Sequence, residues 1–251
     1  MNPIETRNLT KRFGALVAVD NVSITVKENI VTVVIGPNGA GKTTLFNLIG
    51  GILKPNSGHI FFYGRDITNT PPYYRTKIGI SKSFQSISIF PYLTLLESVV
   101  LAIAYQEFNK LSLNHAIKPL IDYKEYVDEA LSIIETVGLK GNENKLIANF
   151  NQADQRKIDI ALAIASKPKV LLLDEPTAGL ALEDIPMITG LISNLRDKLG
   201  FTVLMVEHKM DVVKELADWI IVMSGGRVIT EGTPDDISSN EEVMKAYLGE
   251  G

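Results

Sequence analysis

The sequence predicts an α/β fold in which a mostly parallel sheet carries an antiparallel β layer and an inserted helical subdomain. Three observations favour this fold. Short β-rich runs separated by turns fill residues 3–35, helical periodicity dominates residues 94–138, and strands alternate with helices from there towards the C-terminus. Alternation of apolar strands with helices is typical of parallel sheets, because the helices cover the faces of the sheet.

The strands are predicted from short apolar or β-branched runs that lie between turn residues. These runs read IETRNLTKRF, NVSITV, IVTVVIG, GHIFFYG, VLLLDE, FTVLMVEH, WIIVMS and RVITEG. IVTVVIG is continuous and β-branched, as expected of a strand that is buried on both faces. Helices are predicted within 94–138, with a break near NKLSLNHAIKP, and over 155–166, 183–199, 211–217 and the tail EEVMKAYLG.

The composition is that of an ordinary globular protein. Of the 251 residues, 45% are apolar and 22% are charged, and the net charge of −4 does not indicate a polyanionic partner. The absence of cysteine excludes disulfides and thiolate metal sites. The N-terminus lacks the apolar region of a secretory signal, and the longest apolar tract, SVVLAIAY, is shorter than the ~18 residues that span a bilayer. We therefore expect a soluble cytoplasmic protein that is able to dock on a membrane protein.

The segment GPNGAGKT, at 36–43, fits the P-loop pattern and lies between a predicted buried strand and a predicted helix. Glycines allow backbone N–H groups to converge on phosphate oxygens, and the helix directs the positive end of its dipole at the same anion. We expect Lys42 to reach the β- and γ-phosphates of a nucleotide and the Thr43 hydroxyl to bind Mg²⁺. A glycine-rich turn with an exposed lysine is the alternative. The candidate nucleotide-binding residues are Gly36, Pro37, Asn38, Gly39, Ala40, Gly41, Lys42, Thr43 and Thr44.

The segment VLLLDE places two adjacent carboxylates at the C-terminal end of a predicted buried strand. We expect Asp174 to hold Mg²⁺ through water and Glu175 to polarise the attacking water as a general base. An Asp-Glu pair by itself is more often a solvated turn. Its position after a P-loop favours metal-assisted phosphate chemistry.

Three further side chains are candidates for the same site. Gln85, in SKSFQS, could touch both Mg²⁺ and water and sense the γ-phosphate, although the sequence alone favours a plain loop glutamine. His208 closes VLMVEH at a strand end, where ligands gather in parallel sheets. A purely structural role for this histidine is an equally supported alternative. Phe13 could stack on a purine ring or belong to the core. His59 and His115 have no comparable context.

These motifs in this order resemble the ATP-binding subunit of an ABC transporter over nearly the whole chain. The glycine-rich loop matches Walker A, Gln85 the Q-loop, and Asp174 with Glu175 the Walker B pair. His208 matches the switch histidine, and Phe13 falls where the family places its adenine-stacking aromatic residue. The resemblance implies ATP as the ligand, and the sequence has no guanine-reading Asn-Lys-x-Asp motif.

Within this family the sequence resembles the ATPases of branched-chain amino-acid importers, which implies uptake of branched-chain or other hydrophobic amino acids. The resemblance rests on KRFGALVAVDNVSITV, GISKSFQSISIFPYLTLLESV, the helical insert and the ending GRVITEGTPDDI…AYLGE. ATPases for urea, lipopolysaccharide export and other substrates share parts of these segments, so the substrate stays open.

The resemblance also implies a two-lobed architecture and specific partners. A RecA-like P-loop NTPase core would comprise 1–85 and 161–251, and a helical subdomain at 86–160 would carry the signature segment. Two such subunits would pack head-to-tail around two ATP molecules, each held by the P-loop of one and the signature of the other. Membrane-embedded permease subunits would complete the assembly at the inner face of the cell membrane, without nucleic acid.

The signature segment departs from the family pattern. Where the family reads close to Leu-Ser-Gly-Gly-Gln, residues 150–154 read FNQAD. Gln152 and Ala153 add bulk where glycine permits close approach, and Asp154 adds a negative charge near a triphosphate. Asn151 retains a side chain that is able to donate a hydrogen bond. We expect a weak or inactive signature.

A second departure is Ala181, which closes AGLA where the family's D-loop usually ends in Asp or Asn. An intact P-loop with an altered signature suggests a heterodimer with one consensus and one degenerate composite site. A homodimer should hydrolyse ATP slowly, whereas a tolerated variation would leave turnover normal.

An alternative of another class is a regulatory or assembly module that binds ATP with little hydrolysis. Glu175 and His208 argue against it, because a pure binder needs no base. A soluble ABC ATPase without a membrane partner usually has two fused cassettes, and this chain has one P-loop.

The candidate residues fall into three groups. The candidate catalytic residues are Glu175, His208, Gln85 and Lys42. The candidate metal ligands are Thr43, Gln85 and Asp174, and the further candidate nucleotide contacts are Phe13, Asn151 and Gln152.

Overall fold

The computed structural model describes residues 1–83, 90–107 and 119–239. In these ranges the chain forms two sheets and eight α-helices, none of which is long and apolar enough to cross a membrane. The strands are β1 (Ile4–Phe13), β2 (Leu16–Val22), β3 (Thr25–Val26), β4 (Val31–Ile35), β5 (Ser57–Phe62), β6 (Arg65–Asp66), β7 (Ile80–Lys82), β8 (Val170–Asp174), β9 (Thr202–Val206), β10 (Trp219–Ser224) and β11 (Arg227–Gly232). The helices are α1 (Lys42–Ile49), α2 (Pro72–Ile78), α3 (Leu95–Glu107), α4 (Lys124–Thr136), α5 (Gln152–Ile164), α6 (Ile185–Leu199), α7 (Met210–Leu216) and α8 (Pro234–Ser238).

The central sheet has six strands in the order β11-β10-β4-β9-β8-β7. Neighbouring strands are parallel except for β10 and β11, which form an antiparallel pair. Every residue of β4, β8 and β9 is buried, as expected for aliphatic strands that are covered on both faces. The mostly parallel sheet predicted from the sequence is confirmed.

The second sheet is the predicted antiparallel layer. β1 pairs with β2, β3 and β5, and β5 pairs in turn with β6. The sequence did not predict β6, and it placed the strand NVSITV where the structure has the end of β2, a break and the short β3.

Two buried clusters cover the two faces of the central sheet. One joins Val34 and Leu172 to Phe46 of α1 and to the antiparallel layer, so α1 packs between the two sheets. The other joins Val33 and Leu173 to α3, α4, α5, α6 and α7. Successive residues of a strand face opposite sides of a sheet, so β4 and β8 contribute to both clusters.

Several predicted helices are confirmed with shifted ends. α5 begins at Gln152 rather than at 155, because the Asn151 side chain caps it by accepting a hydrogen bond from the Asp154 N–H at 2.8 Å. α6 is preceded by a 3-10 turn, Leu182–Asp184. The sequence did not predict α2, β7 or α8. The tail helix and nearly all of NKLSLNHAIKP lie outside the described residues, and the predicted subdomain boundary at residue 160 falls inside α5.

The buried Arg75 of α2 holds the C-terminal end of α1. Its guanidinium donates to the carbonyl oxygens of Leu48 and Ile49 at 2.7 and 2.6 Å, in the last turn of α1. It also donates to the carbonyl oxygens of Ile67, Thr68 and Thr70 at 2.8, 3.1 and 2.9 Å. A positive charge at a helix C-terminus is favourable, but burial lowers the pKa of Arg75 to about 10.

We predict that Arg75→Met destabilises the protein by roughly 3–5 kcal/mol, because buried carbonyl oxygens would lose their donors. The measurement is the free energy of unfolding in urea. Lys77→Met, an exposed position on the same helix, is the matched control and should change that free energy by less than about 0.5 kcal/mol. Equal losses for the two variants would contradict a structural role for the buried guanidinium.

Candidate functional site

The candidate site lies at the C-terminal edge of the central sheet. β4 leads into the glycine-rich loop, β8 ends in Asp174, and β9 is followed by Glu207 and His208. The carboxyl ends of parallel strands meet at one edge of a sheet, which is where α/β proteins bind their ligands. The fold therefore brings the predicted P-loop, carboxylates and histidine to the same edge.

The glycine-rich loop passes close to neighbouring backbone. A Cβ atom on Gly36 would lie 2.1 Å from the carbonyl oxygen of Met223, and one on Gly41 would lie 2.2 Å from that of Ala18. Gly41 also has a φ of +97°, which L-residues rarely adopt. Gly39 has a φ of +79°, yet an added Cβ there would meet nothing within 4 Å in the described part of the chain. Packing against β10 and β2 thus requires glycine at positions 36 and 41, whether or not a ligand is bound.

Lys42 is buried and folds back over the loop that precedes it. Its Nζ donates to the carbonyl oxygens of Gly36 at 2.7 Å and Pro37 at 2.9 Å. Burial lowers the pKa of Lys42, while the charge of Glu175 acts in the opposite direction. The ammonium group is therefore held over the loop where phosphates would bind.

The first turn of α1 offers backbone donors beside that ammonium group. Gly41 is its N-cap and supplies no side-chain acceptor, so the amides there are available to an anion. Thr43, Asn38 and Gly39 are exposed, Pro37 and Thr44 are half-buried, and Ala40 is buried. The Ala40 N–H already donates to the Pro37 carbonyl oxygen at 3.2 Å.

Glu175 and His208 contact each other directly. His208 Nε2 lies 3.0 Å from Glu175 Oε1, and both side chains are about one-third exposed. Glu175 has a φ of +50°, a left-handed conformation that is unusual for a non-glycine residue, and its N–H donates to the carbonyl oxygen of Val206 at 3.0 Å. Such strained residues cluster at functional sites. The structure thus joins the two predicted residues into an acid–histidine pair.

A buried pair that the sequence did not single out lies behind them. The Thr177 hydroxyl donates to Glu207 Oε1 at 2.5 Å, and Lys209 Nζ donates to the Thr177 carbonyl oxygen at 3.1 Å. Burial raises the pKa of Glu207, while the Thr177 hydrogen bond acts in the opposite direction. These contacts fasten the loop after β8 to the loop after β9, and thereby fix the positions of Glu175 and His208.

Asp174 is almost fully buried and contacts Lys82. Asp174 Oδ2 accepts a hydrogen bond from Lys82 Nζ at 3.1 Å, whereas Oδ1 has no hydrogen-bond partner among the described residues. A carboxylate oxygen and the Thr43 hydroxyl are hard donors of the kind that Mg²⁺ prefers, and Mg²⁺ usually keeps several of its waters. Oδ1 is thus a buried acceptor without a hydrogen-bond partner among the described residues, which fits a hydrated magnesium ion that binds at this edge.

The family model for the ABC transporter matches residues 19–178. The chain belongs to the ABC transporter family. A second model, the branched-chain amino acid ATP-binding cassette transporter, matches residues 227–251. The predicted family is therefore confirmed, as is the predicted P-loop NTPase fold.

Curated relatives and solved structures of ABC transporter subunits agree with this assignment. The high-affinity branched-chain amino acid transport ATP-binding protein LivG of Salmonella typhimurium is 35% identical over 98% of both chains. The ADP conformation of an ATP-binding cassette of an ABC transporter is 32% identical, with a TM-score of 0.87 over 99% of both chains. A dimeric cassette bound to ADP and Pi is 27% identical, with a TM-score of 0.76 over 92% of this chain and 98% of that one.

The segment FNQAD, which the sequence analysis compared with the family's signature, forms the start of α5. Besides the Asn151 cap, Asp154 Oδ1 pairs with Lys157 Nζ at 3.2 Å, so the negative charge expected there has an adjacent cation. Ala153 is buried. A Cβ on Gly179 would lie 2.6 Å from Gln152 Nε2, so the Gln152 amide packs against the loop after β8.

The remaining predicted residues are less closely connected to this edge. Phe13 ends β1 and is 47% exposed, which excludes the core alternative, and Lys11 Nζ lies 5.3 Å from its ring centroid. Ala181 is exposed. His59 contacts Asp66 in the antiparallel layer, at 2.8 Å between Nδ1 and Oδ2. Gln85 and His115 lie outside the described residues.

Alanine at two glycines of the loop should have unequal effects. We expect Gly39→Ala to lower the free energy of unfolding by about 1–2 kcal/mol, because alanine would be strained by the left-handed backbone conformation but would meet no steric clash among the described residues. Gly41→Ala should lose at least about 3 kcal/mol or fail to fold, because its Cβ meets the Ala18 carbonyl as well. Urea unfolding without nucleotide measures both variants. Similar losses would show that β2 moves aside to admit the methyl group.

Proposed function

We propose that the chain binds ATP with Mg²⁺ at the glycine-rich loop and hydrolyses it to drive uptake of branched-chain or other hydrophobic amino acids through membrane-embedded permease subunits. The observation that carries the proposal is the convergence of Lys42, Asp174 and the Glu175–His208 pair on one sheet edge. The relatives' names and the family model over residues 227–251 support the substrate class.

Glu175 is the proposed general base. It accepts a proton from water as the water oxygen attacks the γ-phosphorus; the bond from that phosphorus to the β–γ bridging oxygen breaks, and ADP leaves. His208 Nε2 holds the carboxylate at 3.0 Å. Lys42 and the α1 amides offset the charge of the β- and γ-phosphates.

The remaining roles are assigned by position and by resemblance. Thr43 and Asp174 would hold Mg²⁺, which would supply neutralisation of phosphate charge when bound. Gln85 is the proposed link between the metal and the attacking water, and Phe13, exposed at the end of β1, the proposed stacking partner of the adenine. Residues 1–85 and 161–251 remain the proposed core, and 86–160 the proposed helical subdomain.

The proposed assembly pairs this chain with a second ATP-binding subunit. The dimeric cassette bound to ADP and Pi supports an association of two cassettes. We favour a heterodimer, because Gln152 and Ala153 occupy positions where the family has glycine, and we keep the homodimer as the alternative. An intact P-loop of this chain would then face an intact signature of the other subunit.

ATP turnover by the purified chain tests this function. We expect slow hydrolysis by the native chain, at least about tenfold faster hydrolysis when the signature is restored by Asn151→Ser, Gln152→Gly, Ala153→Gly and Asp154→Gln, and none after Glu175→Gln. Urea unfolding of each variant controls for folding, since Ala153→Gly alone should cost about 0.5–1 kcal/mol. Fast hydrolysis by the native chain alone would favour a homodimeric motor with a tolerated signature.

An apolar cavity that is lined by residues of three helices is the proposed docking site for the permease. Its volume is about 510 Å³, and it lies between α2, α3 and α5. Three aromatic side chains at its edge are about half exposed, namely Tyr73, Phe90 and Tyr105. Exposed apolar surface of this kind is typical of protein interfaces, where aromatic residues are enriched.

One buried carboxylate in the cavity indicates the chemistry of the partner. Asp159 is 3% exposed, neither of its oxygens has a hydrogen-bond partner among the described residues, and Arg156 lies 3.7 Å away. Burial raises the pKa of Asp159 to about 7, while Arg156 acts in the opposite direction. We therefore expect the docking segment of the permease to combine apolar residues with one basic side chain.

Site-specific crosslinking tests this docking site, because the chain has no cysteine of its own. A photocrosslinker on Tyr105→Cys should attach to a membrane-embedded permease subunit, at a peptide that contains Lys or Arg. The same reagent on Leu199→Cys, an exposed position on α6, is the control and should not. Attachment only to a second copy of this chain, or equal attachment from both positions, would contradict the assignment.

A further inference from the structure

Lys82 connects two elements of the candidate site that are far apart in the sequence. It is the last residue of β7, and its side chain is 17% exposed. Its Nζ donates to Asp174 Oδ2 at 3.1 Å and to Asn47 Oδ1 at 2.8 Å. Asn47 lies on α1, four positions after Thr43, so the two side chains project from neighbouring turns of the same helix. One ammonium group therefore links the helix that carries Thr43 to the strand that carries Asp174.

The contact solves an electrostatic problem at Asp174. The side chain of Asp174 is 1% exposed, and a buried carboxylate is costly unless a cation or hydrogen-bond donors compensate it. Lys82 supplies the positive charge and one donor. Since β7 pairs in parallel with β8, with Lys82 opposite Leu172, the backbone holds the lysine beside this carboxylate.

The same contact distinguishes the two carboxylate oxygens. Oδ2 is occupied by Lys82, whereas Oδ1 has no hydrogen-bond partner among the described residues. Groups behind a metal ligand commonly fix its orientation, and their loss typically weakens metal binding 10–100-fold. Asn47 Oδ1 in turn accepts a hydrogen bond from the same ammonium group at 2.8 Å.

We infer that Lys82 is a positioning residue for the metal–nucleotide site: it fixes Asp174 through Oδ2 and leaves Oδ1 as the acceptor for the hydrated metal. This inference rests on the proposed binding of ATP with Mg²⁺. A competing interpretation of the same contact gives Lys82 the opposite role, in which its ammonium group blocks binding of the metal. The two roles predict changes of opposite sign in Mg²⁺ affinity.

Equilibrium binding of a fluorescent ATP analogue, titrated with Mg²⁺, tests the inference. All measurements use chains that also carry Glu175→Gln, so that turnover does not interfere. We expect Lys82→Met to raise the half-saturating Mg²⁺ concentration about tenfold, with metal-free binding of the analogue changed less than about twofold. Lys82→Arg should stay near the reference chain because it keeps the charge and a donor. Lys77→Met, on exposed surface, is the matched control.

Asn47→Ala is a second variant that keeps the lysine and removes one of its anchors. It should change the Mg²⁺ requirement in the same direction as Lys82→Met, by a smaller factor. An unchanged or lower requirement in Lys82→Met, or an unchanged one in Asn47→Ala if Lys82→Met does not fold, would overturn the positioning role. Failure of the proposed function is distinguishable, because the reference chain itself would then bind no analogue or show no response to Mg²⁺.

Discussion

The arrangement of the site depends on how α1 is fixed between the two sheets. Its buried face packs on the central sheet and on the antiparallel layer, so its position is set by both. At the N-terminal end, the approach of Gly41 to the Ala18 carbonyl excludes any side chain. At the C-terminal end, Arg75 satisfies the last carbonyl groups. A helix held at both ends keeps its first-turn amides beside β4 without a ligand, which lowers the entropic cost of binding an anion there.

Charge balance organises the same edge of the sheet. Asp174 faces Lys82, Glu175 faces His208, and Lys42 is held by backbone carbonyls rather than by a carboxylate. Among the described residues, no carboxylate lies within hydrogen-bond distance of the Lys42 ammonium group. A bound phosphate could therefore pair with Lys42 without breaking an existing ion pair, which favours phosphate binding.

The sequence predicted those features that local patterns encode. Continuous aliphatic runs identified β4, β8 and β9, and glycine spacing identified the phosphate loop. α2 was not predicted because Arg75, its buried residue, is charged and no apolar period marks the segment. Lys82 was not singled out because its partner Asp174 is 92 positions away, and nothing in SKSFQS indicates which strand lies beside it. The Thr177–Glu207 hydrogen bond likewise joins two loops that become neighbours only when β8 and β9 pair.

The segment FNQAD starts a helix through contacts that do not depend on glycine. Asparagine is among the best N-cap residues, so Asn151 starts α5 as well as a serine would. Lys157 offsets the charge of Asp154, and Ala153 contributes to the core. None of these contacts requires glycine, the residue that lets other groups approach the backbone most closely. Gln152, by filling space beside Gly179, ties this helix start to its own chain. The segment FNQAD therefore supports a regular helix start without glycine, and its side chains, rather than bare backbone, form the surface there.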